Sequence, residues 1–248
     1  MKPLELPLVV GHRGAAAYAP ENTLASFREA KARGAAWVEF DVKLSADNRL
    51  IVMHDASLKR TAGLDAPVAT TDFATLRTLD AGGWFGPSFR GETIPSFEET
   101  LSVLGELGLG ANIEIKPCPG REGETALAVV AALDRLWPQH LPTPLLSSFK
   151  DESLAAAQQA GSHWPRFSLI DVIEGPWLER ARAVGAMGIN TNGHKLRPDQ
   201  AAAIKAADYL LGVYTINDGP KAVALRKAGA DCIITDAPDL ILQALAAA

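Results

Sequence analysis

Short apolar runs alternate along the chain with longer stretches of helical period. The first run, Leu8–Gly11, precedes a helical stretch from about Asn22 to Arg33, and the second run is Trp37–Leu44. A further run, Leu50–Met53, follows turn residues at Asp47–Asn48 and reads as a strand added after that turn. The alternation resumes beyond residue 95. Strands are predicted at Ala111–Ile115, Pro144–Ser147, Arg166–Ile170, Met187–Thr191, Leu211–Thr215 and Cys232–Thr235. Helices are predicted at about Ser96–Leu107, Glu122–Trp137, Asp151–Ala160, Pro176–Val184, Pro198–Ala207, Gly219–Ala228 and Pro238–Ala247. Several open with Asp or Ser at the cap or Pro in the first turn, where free N–H groups need an acceptor and a missing one costs nothing.

With the Leu50 strand set aside as an excursion, eight strand–helix units remain. Strict alternation implies a parallel sheet. Eight units over this length imply an α/β fold closed into a TIM (β/α)8 barrel, with a doubly wound open sheet as the alternative. The stretch from about 56 to 95, rich in Gly, Thr, Pro and aromatic residues, has no clean period. It reads as a small insertion after strand 2, packed over a single catalytic barrel domain that spans residues 1–248.

Composition narrows the class. Hydrophobic residues make up 48% and charged residues 21% of the chain, a globular balance far from that of disorder. The formal net charge is -5, with acidic and basic residues scattered, so no basic track for a nucleic acid is expected. An anionic ligand would instead need a local device such as a metal ion, an arginine or a set of backbone N–H groups. Cys118 and Cys232 stand in no metal-ligand spacing and read as reduced core residues. The N-terminal apolar stretch is too short for a signal peptide, and no run approaches a membrane span. The expectation is a cytoplasmic protein without stable membrane anchoring, monomeric or homodimeric.

In a barrel of this kind the chemistry lies at the C-terminal ends of the strands. Polar residues concentrate there: His12 and Arg13 after the first run, Glu39 and Asp41 in the second, His54 after the excursion, and Glu114 with Lys116 in the next. Residues two apart on a strand share a face, so Glu39 pairs with Asp41 and Glu114 with Lys116, while their apolar neighbours face the other way. Three carboxylates buried together need positive charge beside them. Carboxylate oxygens suit Mg²⁺ or Ca²⁺ better than a thiolate-loving metal. His12 and His54, each after an apolar run, offer a general acid and a general base near neutral pH. Taken singly, either histidine reads more readily as a structural residue. Arg13 offers a planar fork for a phosphate, or equally a salt bridge. In the segment 19–23, Asn22 or Thr23 is either a helix cap or part of the site wall.

Together the motifs G-H-R-G at 11–14, A-P-E-N-T at 19–23, E-F-D at 39–41, H-D at 54–55 and E-I-K at 114–116 resemble the glycerophosphodiester phosphodiesterase family. So do Y-T-I-N at 214–217 and T-D-A-P-D at 235–239. The runs A-N-I-E-I-K-P and L-L-S-S-F look most like its cytoplasmic bacterial branch. The resemblance implies a TIM barrel with an insertion after strand 2. It implies that Glu39, Asp41 and Glu114 bind one divalent cation, Mg²⁺ first and Ca²⁺ second. It implies that His12 and His54 are the acid and base, and that Arg13 and Lys116 hold the phosphate. Tyr214 stands where the family often has tryptophan and would line the substrate pocket. The activity implied is metal-dependent hydrolysis of a small glycerophosphodiester, such as glycerophosphocholine or glycerophosphoethanolamine, to sn-glycerol 3-phosphate and an alcohol. A phosphodiesterase acting on lysophospholipids and a non-catalytic phosphate-binding barrel are the competing readings.

Overall fold

The computed structural model describes residues 4–161 and 163–248. Strand β1 (Val9–His12) leads into helix α1 (Leu24–Ala32), and β2 (Trp37–Leu44) is followed by the short β3 (Leu50–Val52). Two one-turn helices, α2 (Lys59–Ala62) and α3 (Phe73–Leu76), precede α4 (Phe97–Leu107). Then come β4 (Gly110–Ile115), α5 (Glu122–Leu136), β5 (Leu145–Ser148) and α6 (Asp151–Ala160). They are followed by β6 (Arg166–Ile170), α7 (Trp177–Ala183), β7 (Gly188–Asn192) and α8 (Pro198–Ala206). The chain closes with β8 (Leu210–Tyr214), α9 (Gly219–Lys227), β9 (Cys232–Thr235) and α10 (Pro238–Ala246).

Every strand except β3 joins one parallel ring, β1-β2-β4-β5-β6-β7-β8-β9, which closes because β1 pairs with both β2 and β9. The fold is a TIM barrel carrying an extra strand. The predicted elements agree with it to within a residue or two at their ends. β2 is eight residues long and β1 only four, so β1 covers Trp37–Glu39 and leaves the far half of that edge open. β3 folds back antiparallel onto this open edge, pairing Val52 with Val42, after a turn in which Asn48 takes a left-handed conformation. A free strand edge is a liability, and the excursion covers it.

The period-2 pattern separates the two faces of each strand. Outward residues such as Val38, Phe40, Ile113 and Ile115 pack under the helices in one large apolar cluster. The inward residues Val10, Trp37, Leu145, Phe167, Cys232 and Ile234 fill the barrel as a second cluster. Gly110 is required here, since a Cβ on it would overlap the Trp37 indole. Residues 56–95 carry α2, α3 and two 3₁₀ turns, Val68–Thr70 and Pro87–Phe89. Their buried apolar residues Leu58, Val68, Leu76, Ala81 and Ile94 cluster with Ile51, Met53 and Cys118. Cys118 and Cys232 are buried and unpaired. Among the described residues no helix is long and apolar enough to cross a membrane.

Phe40 is fully buried between Phe27 and Phe97, at ring-centroid distances of 5.5 and 6.3 Å. Phe40→Ala is expected to cost about 3–5 kcal/mol of unfolding free energy, from lost transfer energy and the cavity left behind. Urea denaturation of the variant against the parent chain measures it.

Candidate active site

The parallel register of β2 and β4 sets Asp41 beside Glu114 and Glu39 beside Asn112. One carboxylate oxygen from each of Glu39, Asp41 and Glu114 lies within 4.8 Å of the others. Exposures are 5%, 1% and 7%, so water does little to screen their mutual repulsion. Burial, and then the charge of Asp41, pushes Glu39 up to about 6 and Glu114 up to about 8. Burial acts on Asp41 in the same direction but is outweighed by Lys116 and Arg13, which hold its carboxyl well below the usual range. The Lys116 ammonium is 2.6 Å from Glu114 and 3.3 Å from Asp41 Oδ1, which meets no hydrogen-bond donor in good geometry. The nearby cations therefore leave the repulsion within the cluster only partly offset, since Glu39 and Glu114 stay raised and Asp41 Oδ1 stays without a donor. A compact set of hard oxygens of this kind fits a divalent cation such as Mg²⁺ or Ca²⁺.

A histidine stands on either side of the cluster, and each has an aspartate behind it. His12, the last residue of β1, has Nδ1 2.7 Å from Asp236 Oδ1, and its Nε2 lies 4.0 Å from Glu39. Asp236 is fixed in turn by Asn217, which donates from Nδ2 to Oδ2 and accepts from the Asp236 N–H. Burial works against protonation of His12, but the bond to Asp236 and the charge of Glu39 raise its pKa overall. His54, two residues past β3, has Nδ1 2.6 Å from Asp55 Oδ1. Its pKa is lowered, chiefly by burial. An aspartate on Nδ1 fixes the tautomer and leaves Nε2 for proton transfer.

Arg13 reaches Glu21 from Nη1 at 2.6 Å and places Nε 3.3 Å from Asp41. Its backbone is left-handed, with φ of 50°, and its N–H donates to Glu39 at 3.0 Å. Outside glycine this conformation costs energy and marks sites where position matters more than comfort. Asn22 is left-handed too, with φ of 59°. Its side chain donates to Asp41 Oδ2 at 2.9 Å, while Thr23 caps α1. The two readings of segment 19–23 thus divide between neighbours. Arg60, on α2, binds both Asp55 and Glu21, so the insertion is tied to the loops of both histidines.

Of the eight residues singled out from the sequence, seven line one cavity of about 220 Å³ at the C-terminal end of the barrel, and Asp41 lies beneath it. Its other wall holds Ser147, Phe149 and Leu169. Tyr214, at the end of β8, meets Phe149 edge-on at 6.0 Å, and its hydroxyl is buried without a protein partner. The sequence reading gave no part to Glu21, Asp55 or Asp236 beyond motif membership, and none at all to Arg60. Asp236 and Asp55 carried a signal, since each sits at a strand end among other polar residues.

A model of the glycerophosphoryl diester phosphodiesterase family matches residues 12–240. A glycerophosphodiester phosphodiesterase from Caldanaerobacter subterraneus is 30% identical over 95% of this chain and 96% of its own length. One from Bacillus subtilis is 31% identical over 94% of this chain and 84% of its own. Among solved structures, a phosphodiesterase from Oleispira antarctica, in complex with the product sn-glycerol-3-phosphate, superposes with a TM-score of 0.94. It is 39% identical, over 97% of each chain. With the matched model, these relatives and this site, the chain belongs to the glycerophosphoryl diester phosphodiesterase family, and it is a phosphoric diester hydrolase.

Proposed function

We propose that this enzyme hydrolyses water-soluble glycerophosphodiesters, such as glycerophosphocholine or glycerophosphoethanolamine, to sn-glycerol 3-phosphate and the free alcohol. The observation that carries the reading is the pair of aspartate-backed imidazoles beside a buried cluster of three carboxylates in one cavity. The product named for the Oleispira antarctica relative supports the same reaction.

In this reading Glu39, Asp41 and Glu114 hold one divalent cation, Mg²⁺ before Ca²⁺. When bound, the cation neutralises charge building on the phosphoryl oxygens and lowers the pKa of a hydroxyl beside it. Arg13 and Lys116 present donors to the phosphate from two sides, each anchored on a carboxylate so that its position is set beforehand. One imidazole accepts a proton from the attacking hydroxyl, and the other delivers one to the departing alcohol. The attacking group is the glycerol 2-hydroxyl on the route through a cyclic phosphate, or water on the direct route. Tyr214 and Phe149 form the wall against which the organic part of the substrate rests. The same reading makes the chain one cytoplasmic catalytic domain, monomeric or homodimeric, that acts on diesters in solution.

Removing one ligand separates the metal's part from folding. Glu114→Gln is expected to lose nearly all glycerol 3-phosphate release while melting within a few degrees of the parent. Excess chelator should abolish release and added Mg²⁺ restore it; full activity in chelator would end the metal assignment. His12→Ala and His54→Ala are each expected to lower kcat by about 10²–10⁴-fold with KM little changed. A variant that keeps near-parent kcat removes its histidine from the mechanism.

A further inference from the structure

Lys43 is a buried cation that the chemistry above does not use. It follows Glu39 and Asp41 on β2 at the same two-residue period, so the three side chains leave one face of the strand. Only 1% of it is exposed. An ammonium taken out of water is costly to keep unless other partners replace the water. Its Nζ donates to the backbone carbonyl of His54 at 2.7 Å. The carboxylates of Asp41 and Glu114, the Cys118 thiol and the Lys116 ammonium also face it.

The two histidines differ in how their backbones are held. His12 is part of β1 and sits in register with Glu39 inside the barrel. His54 lies outside the ring, on the excursion. β3 ends at Val52, and the Met53 N–H still donates to the Asp41 carbonyl at 2.9 Å. At the next residue it is a side chain, that of Lys43, which takes the carbonyl. Asp55 then sets the ring through Nδ1.

We propose that Lys43 is a positioning residue for His54, extending the β2–β3 ladder by one residue and so fixing the reach of the imidazole toward the phosphate. The inference rests on the reading of His54 as acid or base. Lys43 touches neither substrate nor reacting atoms; it acts through the residue whose carbonyl it holds.

A double-mutant cycle tests this. Lys43→Met keeps the length of the stem and removes the donor. It is expected to lower kcat by about 10–100-fold, the scale of a displacement near ~1 Å at a catalytic group, with KM within about threefold. On a His54→Ala background, assayed at high enzyme concentration with a p-nitrophenyl diester, the same substitution should cost less than about threefold, because the residue it acts through is gone. The Mg²⁺ affinity of Lys43→Met, measured by calorimetry, should be no weaker than that of the parent, since the lost ammonium also faced Asp41 and Glu114. An undiminished loss on the His54→Ala background, a kcat within about twofold of the parent in the single variant, or weakened Mg²⁺ binding overturns the proposal. Should Lys43→Met fail to fold, Lys43→Arg, which keeps a donor, takes its place in the cycle. Any loss it causes must likewise vanish on the His54→Ala background. A His54→Ala variant with near-parent kcat overturns the role of His54 and the proposal together, whereas a loss shared equally by both backgrounds removes Lys43 alone.

Discussion

Glu39, Asp41 and Glu114 are pressed together on two neighbouring strands where water cannot separate their charges, and much of the surrounding structure answers that repulsion. The answer is uneven. The charges of Lys116 and Arg13 keep Asp41 ionised, while Glu39 and Glu114 are pushed toward their protonated forms. A hydrophobic barrel would be more stable with apolar residues at these positions, as removal of buried charge in other proteins indicates. Their presence is a cost in stability, and the register of β2 against β4 places all of it at one point. That geometry suits a cation, and the ion pairs of Arg13 and Lys116 with the same carboxylates make them one arrangement and not two.

The two histidines that line the cavity reach it from unlike scaffolds. His12 comes from the ring itself, and its aspartate arrives from the far end of the chain, across the seam where β9 meets β1. His54 comes from an excursion that exists because β2 outruns β1. The same free edge that needed covering therefore delivers the second imidazole to within reach of the cluster. The insertion that follows is anchored by Arg60, whose guanidinium spans Asp55 and Glu21, and Glu21 in turn holds Arg13. Charge pairs thus connect His54 to Arg13 through Asp55, Arg60 and Glu21, without passing through the carboxylate cluster.

Much of this was legible in the sequence, for a definite reason. Strand periodicity assigns a face to every residue, so Glu39 with Asp41, and Glu114 with Lys116, could be placed inside the barrel before any coordinates. The strand count led to the closed ring. What escaped was contact between residues distant along the chain whose partners no local pattern names. Asn22 looked like a possible cap, and the cap proved to be Thr23, one residue on, while Asn22 turned to Asp41. Asp236 looked like a polar strand end, and its pairing with His12 depends on the barrel closing; Asp55 pairs with its own neighbour His54, and what the sequence did not name is its tie to Arg60. The segment 56–95 lacked a period because its elements are single turns, too short to show one; its order comes from a small apolar cluster of its own.

Tyr214 shows where family pattern and chain chemistry separate. Where the resemblance led one to expect an indole, this chain has a phenol that lines the cavity, and its hydroxyl is buried without a hydrogen-bond partner. The edge-on contact with Phe149 is one that an indole would also make, so the apolar wall survives the exchange. The added oxygen is a different matter. Burying a hydroxyl with no partner costs about 1–3 kcal/mol, and that cost is recovered when a ligand supplies an acceptor or a donor. A pocket with such a group discriminates by what it leaves unsatisfied, rejecting an apolar ligand more strongly than it rewards a polar one. The phenol oxygen of Tyr214 and Oδ1 of Asp41 are thus two buried polar atoms that the protein alone leaves without a hydrogen-bond partner, each carrying a cost that only a group from outside the chain can offset.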